Sequence, residues 1–145
     1  MAPPLRAVSS ARSCDGQISA SLEKCLRTIY ELTEEGAPTL RARVAERLAV
    51  TGSSTGETVA RLEDRGLVRV DVYRTLRLTP AGELTASRVL RRHRLAECFL
   101  ATVAGLRLDQ VHAEASRWQH VLSSDVERRF LELLGRPRES PFGNP

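Results

Sequence analysis

Two residues with metal-binding chemistry, His93 and Glu97, lie four positions apart in the segment HRLAE. On a helix, this spacing places both side chains on one face. An imidazole and a carboxylate are common ligands of Zn²⁺ and similar ions. The same spacing also suits an ordinary surface ion pair, so the two residues alone indicate metal binding only weakly. No HExxH motif or separate general base accompanies them, so the pattern does not predict a hydrolytic zinc site or an enzyme.

Arginine is concentrated between residues 37 and 94. This segment holds twelve arginines against six carboxylates, in a chain whose formal net charge is +4. Guanidinium groups suit phosphate oxygens, and such an excess is typical of nucleic-acid binding. No apolar run approaches the ~20 residues that span a bilayer, and the start of the chain has no secretory signal. We therefore expect a cytoplasmic protein with a double-stranded DNA partner, no membrane partner and no small organic substrate.

The arginines lie around a predicted helix-turn-helix. Its two apolar helical stripes are separated by the segment AVTGSS and consist of Leu40, Val44 and Leu48, then Val59 and Leu62. Gly52 is predicted to form the turn, and Ser53 or Ser54 to cap the second helix. Gly66 is predicted to end that helix. The alternating segments LVRV and TLRL, separated by DVYR, then predict a two-stranded wing.

Further helices are predicted on both sides of this unit. The segment SLEKCLRTIYELTEEG precedes it, and a long helix from about Ala81 to Gly105 follows Thr79 and Pro80. The predicted buried face of the long helix consists of Leu84, Val89, Leu90, Leu95, Phe99, Leu100 and Val103. The segments LDQVHAEASRWQHVL and SSDVERRFLELLG predict two more helices. The fold class is therefore mostly α, with a small β-wing.

The motifs of the chain resemble those of a known family. LRTIYELTEEG, LRARVAERL, ETVARLEDRGLV, LTPAG, HRLAE, VHAEASRWQHV, DVERR and SPFGNP occur in the family's order and at near-constant spacing. Over about residues 20 to 145 the chain resembles the diphtheria toxin repressor / iron-dependent regulator family of metal-dependent bacterial repressors. Residues 1–18 contain prolines, serines and a glycine without periodicity, which predicts a flexible tail. The resemblance implies a winged helix-turn-helix domain (19–78) and a helical dimerisation and metal-site domain (79–145). It also implies that the family's SH3-like domain, which normally follows SPFGNP, is absent.

The resemblance also implies which residues contact DNA. The positions are Arg41, Ala42, Thr51, Ser53, Ser54, Glu57, Thr58, Arg61 and Arg74. The family usually has Gln in place of Glu57 and Pro in place of Ser53. A glutamate only accepts hydrogen bonds, so it favours cytosine N4 and is repelled by phosphates. We therefore expect an altered or relaxed operator sequence.

For metal, the resemblance implies two sites. The ancillary site is intact as His93, Glu97 and His112, and suits Fe²⁺, Mn²⁺, Zn²⁺ or Co²⁺. The resemblance places an anion pocket beside it, formed by Arg94, Ser140 and Asn144. The primary site, by contrast, is degenerate.

At the primary site the family has Met, Cys, Glu and His, and this chain has Lys24, Ser116, Gln119 and His120. An ammonium binds no cation while it is protonated, so we expect no metal there. One hypothesis is that Lys24 replaces the ion by donating hydrogen bonds to Ser116 and Gln119. The alternatives are simple decay of the site, or a Lys24 side chain that extends to solvent.

These observations predict a homodimeric, sequence-specific transcriptional regulator of the repressor type, whose DNA binding does not require metal. One alternative is a repressor that responds to iron or manganese through the ancillary site. Another is a protein that forms heterodimers with a full-length relative and modulates it. Direct DNA binding, measured in chelator and again with added metal, distinguishes these possibilities.

Overall fold

The computed structural model describes residues 18–135. Its helices and strands are, in order, α1 (Ala20–Glu34), α2 (Arg41–Leu48), α3 (Gly52–Asp64), β1 (Val68–Val70), β2 (Leu76–Leu78), α4 (Pro80–Thr102), α5 (Leu108–Trp118) and α6 (Ser124–Leu133). The mostly helical fold with a two-stranded wing is as the sequence predicts. Residues 1–17 of the predicted tail and the predicted anion-binding residues Ser140 and Asn144 lie outside the described residues. Within the described residues, no helix is both long and apolar enough to cross a membrane.

A first core cluster holds α1, α2, α3 and the wing together. The helical period of α1 turns Leu22, Leu26, Ile29 and Leu32 to one side, where all four are buried. They pack in the same cluster as Val44, Val59, Leu62 and Leu76 from the following elements. Ile18, the last residue of the predicted tail, is also buried in this cluster. Leu40, predicted to belong to the apolar stripe of α2, is instead exposed because it precedes the first turn of that helix.

The turn between α2 and α3 differs from the prediction. Its left-handed residue is Ala49, with a φ of 53°, and Gly52 is already the first residue of α3. The cap is Thr51, whose hydroxyl accepts a hydrogen bond from the backbone N–H of Ser54 at 3.0 Å. The prediction of a cap at Ser53 or Ser54 was therefore wrong by two or three positions. Thr51 is equally suited to capping, and the composition of the segment does not distinguish the three residues.

The wing is a pair of antiparallel strands whose connecting tip is held by hydrogen bonds. β1 and β2 pair antiparallel with Val68 opposite Leu78 and Val70 opposite Leu76. At the tip, the carboxylate of Asp71 accepts hydrogen bonds from the N–H groups of Tyr73 and Thr75, each at 2.9 Å. Hydrogen bonds, of which the one from the Thr75 N–H has the largest effect, keep the pKa of the Asp71 carboxyl below its usual value. The tip itself is exposed.

The start of α4 packs closely against the wing. Thr79 caps the helix by accepting from the N–H of Gly82 at 3.0 Å, while its own hydroxyl donates to the Gly66 carbonyl at 2.6 Å. A Cβ on Gly82 would lie 1.9 Å from the carbonyl oxygen of Leu67. Only glycine permits this approach, which fixes the direction in which α4 leaves the wing.

A second core cluster lies at the far end of α4. Ala96 and Leu100 of α4 pack with Val111 of α5 and Phe130 of α6. The rings of Phe99 and Phe130 stack with centroids 4.3 Å apart. Two residues of the predicted buried face of α4, Leu84 and Val103, are exposed. Leu84 lies two positions from the buried Gly82 and Ala86 and so faces away from them, and Val103 follows the last residue of the helix. The two clusters agree with a division near residue 79, which remains a prediction.

Candidate DNA-binding surface and metal centre

The structure brings the predicted DNA-contacting residues to the outside of the helix-turn-helix and wing. Arg41 and Ala42 begin α2, Ser53 and Ser54 lie in the first turn of α3, and all four are exposed. The other exposed members are Thr51, Glu57, Arg61 and Arg74, whereas Thr58 is half-buried. An exposed helix start that carries polar side chains suits the major groove of DNA, and flanking arginines suit the phosphate backbone. The arrangement is compatible with the predicted contacts.

Hydrogen bonds within α3 leave some of these groups more available than others. The Thr51 hydroxyl caps the helix, and the Thr58 hydroxyl donates to the carbonyl of Ser54 at 3.1 Å. Among the described residues, no hydrogen bond engages the side chains of Ser53, Ser54 or Glu57. These three are the groups of α3 best placed to contact base edges.

The helix-turn-helix is also tied to the end of α1. Both terminal nitrogens of Arg47 on α2 donate to the carboxylate of Glu35, at 2.8 and 2.9 Å. This bidentate pair keeps the pKa of Glu35 below its usual value, with the hydrogen bond as the main cause. Because the pair is partly exposed, its role is to orient α2 rather than to stabilise the fold strongly.

The predicted ancillary metal site is assembled by α4 and α5. His93 and Glu97, one turn apart on α4, meet His112 of α5, and one potential ligand atom of each lies within 4.8 Å of the others. His93 Nε2 contacts Glu97 Oε1, and His112 Nδ1 is 3.8 Å from the same oxygen. His93 and Glu97 are buried, whereas the His112 side chain is 63% exposed and leaves the site open on one side.

The electrostatics of the site favour a cation. Burial acts to raise the pKa of Glu97, but the interactions of its carboxylate with His112 and His93 outweigh burial and hold this pKa at about 2. Burial also lowers the pKa of His93, so its ring is neutral near pH 7. Glu97 Oε2 is buried and has no hydrogen-bond partner. Two imidazoles and an ionised carboxylate, one oxygen of which is buried without a partner, fit a divalent metal ion.

A side chain of α1 reaches this site and contacts one of its members. Arg27 is buried, and its Nη1 lies 3.0 Å from His93 Nδ1. Arg94, assigned to the anion pocket, lies at the opening with its guanidinium 3.8 Å from Glu34. The predicted partners of Arg94 in that pocket are outside the described residues, so the pocket remains a prediction.

The degenerate primary site forms a different contact between α1 and the turn after α5. His120 Nδ1 pairs with a carboxylate oxygen of Glu23, and each side chain is only 14% exposed. The Gln119 side chain is fully buried, with Nε2 3.3 Å from His120 Nε2. Because the amide can only donate through this nitrogen, both ring nitrogens of His120 are engaged. These residues therefore do not fit a metal ion at this position.

Lys24 does not have the position that the cation-replacement hypothesis requires. It is exposed and its side chain makes no hydrogen bond among the described residues, and Ser116 instead donates to the carbonyl of His112 at 3.0 Å. Lys24 faces a groove between α1 and α3, alongside Ser54 and Thr58. The hypothesis that Lys24 donates to Ser116 and Gln119 was therefore wrong. Successive residues of a helix are rotated by about 100° around its axis, so Glu23 faces His120 and the next residue, Lys24, does not.

Sequence reasoning missed Glu23 and Arg27. Both are charged residues in a helix whose buried face is apolar, and such residues are usually solvated. One signal was available: the two lie four positions apart and therefore share a helical face, and that face contacts both histidine sites.

The fold and sites define a winged helix-turn-helix protein with a helical second half that carries a candidate metal centre. The description "Iron dependent repressor, N-terminal DNA binding domain" matches residues 17–76. The description "Iron dependent repressor, metal binding and dimerisation domain" matches residues 79–145. The chain belongs to the iron-dependent repressor family.

Individual relatives agree with this assignment. The chain is 54% identical over 123 residues to the iron-dependent repressor IdeR of Mycobacterium leprae, and 53% identical to the diphtheria toxin repressor of Corynebacterium diphtheriae. Both matches cover 85% of this chain and 54% of the relative, so the chain spans about half the length of these curated relatives. A solved manganese-dependent transcriptional repressor in complex with manganese superposes with a TM-score of 0.79 at 34% identity. That match covers 86% of this chain and 57% of the other.

Proposed function

We propose that the protein is a homodimeric, sequence-specific DNA-binding repressor whose operator binding does not require a metal at the primary position. The observation that carries the DNA-binding role is the exposed first turn of α3, flanked by arginines of α2 and the wing. The family to which the chain belongs and the repressor relatives support the same role. Such a regulator acts in the cytoplasm by binding, without catalysis.

On DNA, α3 would enter the major groove with its first turn toward the base edges. The hydroxyls of Ser53 and Ser54 are free to contact bases, and Glu57 accepts only from cytosine N4 or adenine N6. Arg41 at the start of α2 and Arg74 on the wing would neutralise phosphates on either side of the major groove. Lys24 adds a cation beside the start of α3 and would contact a further phosphate.

The second half would supply the dimer contact. Six of the large apolar side chains that are exposed among the described residues lie after the wing. They are Leu84, Val103, Leu108, Val121, Val126 and Leu133. A protein partner that covers these side chains would remove their apolar surface from water. The description of the matched second region, which names dimerisation, supports a second copy of this chain as that partner.

Metal independence follows from how α1 is held. In the family, by resemblance, a metal at the primary position connects α1 to the second half. Here the Glu23–His120 contact joins the same two elements through side chains alone. Because this contact needs no ion, α1 would remain in its DNA-binding position after chelation.

A second candidate function is a metal-responsive repressor that acts through the ancillary site. The buried and unpartnered Glu97 Oε2 favours it, because a cation would satisfy this atom. His93, Glu97 and His112 would hold the ion, which would supply a positive charge that draws α4 and α5 together. The two candidates differ in whether operator binding changes when metal is removed.

Selection from a pool of randomised duplexes, which includes the family's palindromic operator, first gives the operator that this protein prefers. Fluorescence anisotropy with that operator and with the randomised duplex then tests the proposal. We expect the operator to bind about 10³-fold more tightly than the randomised duplex. A Glu57→Gln variant should shift the preference at the base pair that this residue contacts, and Glu114→Gln, an exchange on α5 away from α3, should not. Equal affinity for both duplexes would contradict sequence-specific binding, and no binding would favour the heterodimer alternative.

A further inference from the structure

The hydrogen bond from Arg27 to His93 determines which nitrogen of His93 carries its proton. A guanidinium has donors only, so His93 Nδ1 must accept from Arg27 Nη1 at 3.0 Å. The neutral ring then carries its hydrogen on Nε2, where it contacts Glu97 Oε1. Both groups are buried, with Arg27 7% and His93 2% exposed, so water does not compete for either nitrogen.

This arrangement opposes metal binding. A metal ligand offers a lone pair, and the nitrogen of His93 that faces the site is Nε2, which holds the proton. A metal-bound histidine ordinarily donates its other N–H to a carboxylate, a carbonyl or water. Arg27 places a donor and a positive charge where an acceptor is needed. To bind a cation, the His93 proton must move from Nε2 to Nδ1, and Arg27 must leave Nδ1.

Arg27 has a second acceptor within reach. Its Nε is buried without a hydrogen bond and lies 3.7 Å from Glu31 Oε1, one turn further along α1. An unsatisfied buried donor is costly, so a small movement toward Glu31 would recover a hydrogen bond. Glu31 therefore offers Arg27 an alternative hydrogen-bond acceptor to His93.

We propose that Arg27 holds His93 in the Nε2–H tautomer, and that a divalent cation occupies the His93/Glu97/His112 site only when Arg27 moves from His93 to Glu31. Because Arg27 belongs to α1, occupancy of the site is coupled to the helix that packs against α3. The proposal rests on metal binding at the ancillary site. It concerns a positioning residue that is not itself a ligand.

Long-range ¹⁵N–¹H NMR of the histidine rings tests the tautomer directly, and the chain has only three histidines. In metal-free protein we expect His93 Nδ1 to be unprotonated and Nε2 protonated. Added Zn²⁺ should reverse this pattern. A protonated Nδ1 in the metal-free protein would overturn the proposal, and this measurement requires no variant that risks misfolding.

Zn²⁺ affinity measured by chelator competition tests the coupling. Arg27→Met removes the donor, and we expect binding about 10-fold tighter than in the unmodified protein. Arg94→Met is the matched control, because it removes a positive charge from the same cleft without touching His93. A gain for Arg27→Met no larger than that for Arg94→Met would overturn the proposal. If neither the unmodified protein nor Arg27→Met binds Zn²⁺, the proposal is also overturned. That result would leave the proposed DNA-binding function standing.

Discussion

Replacing Glu23 and His120 by alanine, singly and together, measures how strongly α1 is held to the second half of the molecule. The two side chains are 97 positions apart in the chain and each is 14% exposed. A hydrogen bond to a charged group is worth about 1.5–3 kcal/mol when shielded from water. We therefore expect a coupling free energy of about 2 kcal/mol between the two substitutions.

Equilibrium urea unfolding, followed by the fluorescence of Trp118, supplies the four free energies of unfolding for this double-mutant cycle. A cycle on Arg129 and Glu132 is the control. This pair of α6 has a 2.9 Å contact, but its side chains are 67% and 61% exposed. Solvent screening should reduce its coupling to about 0.5 kcal/mol or less.

Equal coupling in the two cycles would refute the reasoning, because burial of the Glu23–His120 contact would then add nothing. A coupling near zero for Glu23 and His120 would show that α1 is held by its apolar face alone. In either case the contact could not take the place of a metal.

Two further predictions concern Lys24 and the helix glycines. Lys24→Met should weaken binding to the operator and to a random duplex alike, because one phosphate contact is lost. The slope of log affinity against log salt concentration should become shallower by about 1, and an unchanged slope would exclude that contact. Gly82→Ala should lower the free energy of unfolding by about 3 kcal/mol, because the added Cβ would meet the Leu67 carbonyl. Gly56→Ala in α3 places its Cβ in open space and should raise the free energy of unfolding by about 1 kcal/mol. Urea unfolding of both glycine variants checks the second prediction, which fails if Gly82→Ala is as stable as the unmodified protein.

The sequence was sufficient to predict most of the fold because its elements have strong local signals. The apolar period of α1, the glycine that ends α3 and the Thr79–Pro80 start of α4 are each determined by neighbouring residues. The turn before α3 was not predictable in detail. Ala49 adopts a left-handed conformation that alanine rarely takes, and only the packing of α2 against α3 imposes it.

The candidate sites depended more on tertiary structure. The spacing of His93 and Glu97 was informative because both lie on one helix, but the approach of His112 rested on the family resemblance. Which side chain of α1 meets His120 depends on the rotation of the helix, and a single position separates Lys24 from Glu23. The role of Arg27 depends on a 3.0 Å contact across 66 residues, which no local pattern encodes.

Operator affinity in excess chelator, compared with affinity in added Co²⁺ or Mn²⁺, is the most direct test of a metal-independent repressor. We expect the unmodified protein to bind its operator specifically in chelator, and Glu23→Ala to lose most of that affinity because α1 is released. Binding by the unmodified protein only after metal is added would contradict the account and assign the switch to the ancillary site.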